Sequence, residues 1–91
     1  MHTKPPPPNQ LRWACRRGML ELDVLLGNFL VEAYSDLSFD EQNNFVKLLD
    51  CQDQDLFVWL TGKEQPSDEI LLKIVEKVRM HAKTRHAVKK I

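Results

Sequence analysis

No stretch of this sequence approaches the roughly 20 apolar residues that a membrane-spanning helix requires, so no membrane insertion is expected. Residues Met1 to Gln10 lack the apolar run of a secretory signal, which points to a chain that stays in the cytoplasm. Cysteine is scarce. Cys15 and Cys51 are the only two, far apart and in no Cys-x-x-Cys pair. Two thiols cannot supply a four-ligand zinc site, and His81 and His86, five residues apart, fall on different sides of a helix. No metal site is expected, and both cysteines are expected to be reduced and at least partly buried, with a disulfide as the alternative. No segment alternates with period two, and no Asn-Gly hairpin signal occurs, which argues against sheet.

What is present fits one small domain. The chain has 91 residues, and at this size folding buries only about 60% of the unfolded chain's surface. That leaves little room for a deep substrate cavity with a shell of supporting groups. The formal charge is zero, but it divides into blocks. Residues 1–18 carry Lys4, Arg12, Arg16 and Arg17 and no acid; residues 19–69 carry twelve acids against Lys47 and Lys63; residues 70–91 carry seven bases against Glu76. Such asymmetry orients a partner, whereas a duplex-binding domain would show an overall basic excess.

The pattern predicts an all-α protein, a compact bundle of five short helices. Residues 1–9 form a Pro-rich leader around Pro5-Pro6-Pro7-Pro8, expected to be stiff, disordered and solvated. Residues 10–80 form the five-helix domain, and residues 81–91 a basic helix end or tail. A first helix is expected over about Gln10 to Arg17, capped near Asn9 and stopped by Gly18, which tolerates a left-handed turn. A second carries Leu22, Leu25, Leu26, Phe29, Leu30 and Ala33 at 3–4 spacing. Gly27 interrupts it at a cost of up to about 1 kcal/mol relative to Ala, with close approach of another helix as the expected compensation. Ser38-Phe39-Asp40-Glu41 reads as a capping box opening a third helix over Phe39 to Leu49. Asp53 and Asp55 suit the start of a short fourth helix that carries Leu56, Phe57, Trp59 and Leu60 and ends at Thr61-Gly62. Ser67 is expected to cap the fifth, with Leu71, Ile74, Val75 and Val78 inward.

The densest feature is the run Trp13-Ala14-Cys15-Arg16-Arg17-Gly18-Met19-Leu20-Glu21-Leu22-Asp23. One reading is purely structural: Arg17 complements the end of the first helix and Glu21 the start of the second, each worth about 0.3–1 kcal/mol. The other is functional: a glycine corner flanked by opposite charges offers a partner close approach to bare backbone. Trp59 is expected in the core, while Trp13 suits either core or an exposed anchor. Asp50, Asp53 and Asp55 lack the central glycine and bidentate glutamate of a calcium loop and are read as a solvated, helix-capping turn.

Arg17-Gly18-Met19-Leu20-Glu21 resembles the Arg-Gly-x-x-Glu motif of the succinate dehydrogenase flavinylation factors, small five-helix proteins of proteobacteria and mitochondria. The flanking residues Trp13 to Asp23 look like the bacterial members. A second block, Leu48-Leu49-Asp50-Cys51-Gln52-Asp53-Gln54-Asp55-Leu56-Phe57-Val58-Trp59-Leu60, is similar to their second signature, apart from Gln54 where relatives often place proline. The resemblance runs from about Leu11 to Val78. It implies an assembly factor, not an enzyme, that binds the flavoprotein subunit of succinate dehydrogenase, and also that of fumarate reductase, and promotes covalent FAD attachment there. It implies no tightly bound cofactor and no catalytic residue; Arg17, Gly18 and Glu21 are the docking residues, with Arg16 and Asp23 at the rim, and a monomer is expected.

Three other readings compete. Lys77, Arg79, Lys83, Arg85, Lys89 and Lys90 could bind phosphates in nucleic acid, although the acidic middle would repel a duplex. An antitoxin-like or regulatory partner of another protein has no distinguishing residue. An enzyme would need Glu21, Asp23 and His81 to gather, and nothing in the sequence brings them together.

Overall fold

The computed structural model describes residues 4–89, with side chains described as far as Arg85. Met1–Thr3 of the leader and the last two residues of the basic end lie outside the described residues. The elements are α1 (Pro8–Leu11), α2 (Leu20–Glu32), a 3-10 turn (Tyr34–Asp36), α3 (Phe39–Leu49), α4 (Asp53–Leu60) and α5 (Glu69–Lys89). Five α-helices and no strand among the described residues make this the expected all-α bundle. The long α5 runs across α2, α3 and α4.

Local chemistry explains most of the boundaries. At α3 the capping box forms as expected: Glu41 N–H donates to Ser38 Oγ at 3.1 Å, and Ser38 N–H to Glu41 Oε1 at 2.9 Å. Burial of Phe45, Leu48 and Leu49 follows from their shared face. Helix α4 begins at Asp53 and ends with Gly62 in the left-handed region, φ 82°. Leu56 and Leu60 are buried there, and Trp59 is half-buried against the core. In α2, Leu22, Leu26, Phe29 and Leu30 face inward. Phe29, Tyr34 and Phe45 form the aromatic centre, with ring centroids 5.2 Å apart for Phe29–Phe45 and 5.7 Å for Tyr34–Phe45. Gln42 is buried beside them and satisfied, its Nε2 donating to Tyr34 O at 2.8 Å.

Four local expectations are corrected. The first helix is short: it starts at Pro8, with Pro7 in the N-cap position and Asn9 inside the helix rather than capping it. Proline is pre-shaped for a helix start and has no N–H to orphan. Past Leu11 the chain continues as turns: Cys15 N–H is shared between Leu11 O and Arg12 O, and Arg16 N–H reaches Trp13 O at 3.1 Å. The fifth helix is capped by Asp68, not Ser67; the Asp68 carboxylate accepts from Ile70 N–H at 2.8 Å. An ionised acceptor there also suits the helix dipole. Gly27 has no neighbour within 4 Å of where a Cβ would stand, so the expected close helix approach is not found.

The fourth concerns the leader, expected to be solvated. Over Lys4–Pro8 it instead lies against the bundle, with Pro5 buried and Tyr34 Oη donating to Pro6 O at 2.7 Å. A buried tyrosine needs a hydroxyl partner, and the proline carbonyl supplies it.

Candidate docking site

The corner between α1 and α2 is built around two residues that point in different directions. Gly18 is exposed and has φ 81°, with nothing within 4 Å of a notional Cβ. Its conformation, rather than crowding, is what requires glycine. Arg17, immediately before it, turns inward. Its guanidinium donates from Nε to Asp53 Oδ1 at 2.6 Å, from Nη1 to Ala14 O at 2.9 Å and Leu49 O at 2.8 Å, and from Nη2 to Cys51 O at 2.6 Å. The side chain is 16% exposed. Arg17 therefore fastens three segments: the turn after α1, the C-terminal end of α3 and the first residue of α4. Leu49 O is one of the carbonyls that a helix end leaves without an intrahelical partner, and an arginine fork suits several acceptors at once.

Arg17, expected as a docking residue, is thus turned inward and not displayed to a partner. The structural reading of this residue holds in part, since one bond does go to the turn after α1, but most of its bonds cross to α3 and α4. Asp23 is also occupied: its Oδ1 accepts the Arg17 backbone N–H at 2.6 Å. Arg16 and Glu21 are exposed and have no ion pair among the described residues. Glu21 also lies in the first turn of α2, where its charge suits the helix dipole.

Around the corner the surface is apolar and basic. Trp13 is 81% exposed and Leu20 74%. Asn9, Arg12, Trp13 and Arg16 line an open cleft of about 390 Å³. The two arginines extend the basic face read from residues 1–18. Beneath the corner, Cys15 is buried, and burial pushes its thiol up to about 11 although the Arg17 guanidinium pulls the other way. Both cysteines are free thiols.

Other candidate groups lie elsewhere. Glu21, Asp23 and His81 do not assemble, because His81 sits at the opposite end of α2, 3.0 Å from Glu32 Oε1 and edge-on to Phe29. Among the described residues no group of three or more His, Cys, Asp or Glu side chains is placed to hold a metal ion. No helix among them is long and apolar enough to cross a membrane. Part of the basic end of α5 is engaged: Lys77 pairs with Glu41 at 3.0 Å and Arg85 with Glu32 at 2.9 Å. Arg79 lies against Gly62.

The arrangement joins both sequence blocks, since Arg17 of the first meets Asp53 of the second. The family model described as flavinator of succinate dehydrogenase matches residues 9–82. The chain belongs to that family. Among curated relatives, the FAD assembly factor SdhE of Shewanella oneidensis is 48% identical over 73 residues, 80% of this chain and 89% of that protein. SdhE of Idiomarina loihiensis is 48% identical over 66 residues, covering 72% of this chain and 73% of its own length. SdhE of Vibrio vulnificus is 46% identical over 72 residues, covering 79% and 84%. The family's membership was legible from the two blocks. That Asp53 belongs beside Arg17 was not, because the acidic turn also reads as an ordinary helix start.

Proposed function

We propose that this chain is a non-catalytic assembly factor that binds the flavoprotein subunit of succinate dehydrogenase, and the related fumarate reductase subunit, and promotes covalent attachment of FAD to it. Family membership supports this reading, and one observation of geometry carries its site: a glycine corner held open in the left-handed region, flanked by two exposed charges, Arg16 and Glu21, that have no ion pair among the described residues. Gly18 lets the partner approach bare backbone, Glu21 and Arg16 offer directional charge, and Trp13 is a large exposed anchor of the kind enriched in interface hot spots. Arg17 and Asp23 belong to the site by holding the corner in shape.

In this reading the bond-forming chemistry belongs to the flavin and the flavoprotein. The factor binds no FAD tightly. It contributes positioning, holding the subunit where its attachment residue and the flavin meet. It acts as a monomer in the cytoplasm. A nucleic-acid role draws less support, because Lys77 and Arg85 pair with acids of the bundle and Arg79 lies against Gly62.

The test is in-gel flavin fluorescence of the flavoprotein subunit in a strain lacking this gene and complemented with variants. The null strain is expected to lose most covalent flavin. Gly18→Arg is expected to fail to restore it, whereas Gly18→Ala, which carries the same backbone strain of about 1–2 kcal/mol without the bulk, restores it. Trp13→Ala is expected to weaken binding of the purified subunit roughly tenfold or more with unchanged thermal stability. Unchanged covalent flavin in the null strain would defeat the functional reading, and full rescue by Gly18→Arg the assignment of the corner.

A further inference from the structure

The Arg17 clamp has an anchor of its own. Three of its acceptors are neutral carbonyls, which bond any N–H that comes within reach. The fourth, Asp53, is charged, and it takes the Nε–H at 2.6 Å. Charge-assisted bonds of this kind are shorter and about twice as strong as neutral ones, and they fix the plane of the guanidinium. Asp53 is the first residue of α4, so its carboxylate is carried on a rigid element with the helix dipole favouring its charge. Arg17 in turn is joined directly to Gly18, and its backbone N–H is held by Asp23 in the first turn of α2. Gly18 itself has little intrinsic conformational preference. The orientation of the corner is therefore shared among these bonds, and the Asp53 pair is the one charged link that ties it to α4.

We propose that Asp53 is a positioning residue of the docking site: acting through Arg17, it sets the angle at which Gly18 and Glu21 meet the flavoprotein subunit. The inference rests on the docking reading above and extends it to the second sequence block. In this account the two blocks are two halves of one device, the first presenting the surface and the second aiming it. Asp50 and Asp55 flank Asp53 in sequence, are exposed, and have no ion pair among the described residues. They are natural controls for a general effect of negative charge at this end of the molecule.

The experiment measures the affinity of the purified full-length protein for the purified flavoprotein subunit, at a temperature where circular dichroism reports every variant folded. Asp53→Asn is expected to weaken binding on the order of tenfold, with Asp50→Asn and Asp55→Asn within about twofold of the parent. Because the effect runs through the clamp, Asp53→Asn added to Arg17→Ala is expected to weaken binding no further than Arg17→Ala alone. A purely structural contribution would lower the melting temperature without moving the affinity of the folded protein. Asp53→Ser, neutral and smaller, is the second variant should asparagine reduce the folded fraction. Normal affinity of Asp53→Asn while Gly18→Arg loses binding would overturn the proposal and leave the docking reading standing. An undiminished effect of Asp53→Asn in the Arg17→Ala background would overturn it too, by making Asp53 a direct contact. Normal binding by Gly18→Arg would bring down the docking reading itself.

Discussion

Replacing Arg17 by alanine tests whether this residue is a handle or a clamp. The guanidinium serves three main-chain carbonyls, Ala14 O, Leu49 O and Cys51 O, and the Asp53 carboxylate. Removing a donor from a partly buried acceptor costs about 1–3 kcal/mol when the acceptor stays dry. Water can reach part of this site after truncation, so we take the low end, about 1 kcal/mol for each carbonyl. Asp53 is 40% exposed on its side chain, and its loss of a partner adds little after solvent screening. The sum is a destabilisation of about 3 kcal/mol, which for a domain of this size lowers Tm by about 12–24 °C. Arg17→Lys keeps the charge but replaces the fork by a single compact ammonium, so it is expected to recover less than half of the loss. Urea unfolding followed by circular dichroism reads both. A loss below about 1 kcal/mol for Arg17→Ala would mean that the side chain is dispensable to the fold and would refute the clamp. The same number bears on cellular experiments: a factor destabilised this far falls in abundance, so Arg17 variants alone cannot separate docking from folding. Glu21→Ala is the cleaner probe, since an exposed side chain without an ion pair among the described residues is expected to change stability only through the helix dipole, by about 0.3–1 kcal/mol.

Gly27→Ala is expected to raise stability by about 0.5–1 kcal/mol, because the space over Gly27 is open; a lower urea midpoint would reveal an unrecognised steric need. Ser38→Ala removes the side-chain half of the α3 capping box and is expected to lose about 1 kcal/mol in the same assay. Hydrogen bonding from Ser38 N–H, and then from Lys77, lowers the Glu41 carboxyl below its ordinary 4.5. A carboxyl lowered on folding stabilises fully above its unfolded value and loses that contribution as pH falls through the folded value. Glu41→Gln is therefore expected to flatten the pH dependence of Tm below about pH 4.5, and an unaltered acid slope would contradict this. Burial raises both thiols, Cys15 to about 11, and of the two only Cys51 has solvent access. A thiol reagent at pH 8 is expected to modify Cys51 slowly and Cys15 only on unfolding; equal rates would contradict the buried placement of Cys15.

The docked leader adds a packing element that composition alone did not suggest. Four consecutive prolines have no N–H to donate, and in isolation they form an extended, hydrated segment. Their carbonyls still accept, and here a buried tyrosine 28 residues further on uses one. The proline rings also line, with Tyr34 and Phe39, an open cleft of about 330 Å³. Proline's low entropy in the unfolded chain makes such docking less costly than ordering a flexible segment.

The primary sequence determined the features whose causes lie within one turn of helix. The capping box at Ser38, the start of α4 at Asp53 and the leucine faces of α2 and α3 arise from neighbours three or four residues apart, and the left-handed Gly18 from the freedom of glycine itself. Tertiary structure decided where Arg17 points, because three of its four acceptors lie 32 to 36 residues away. Two of these are main-chain carbonyls, which every residue possesses and which therefore leave no mark in a sequence. An arginine beside a glycine reads as a surface charge until the fold brings a helix end to meet it.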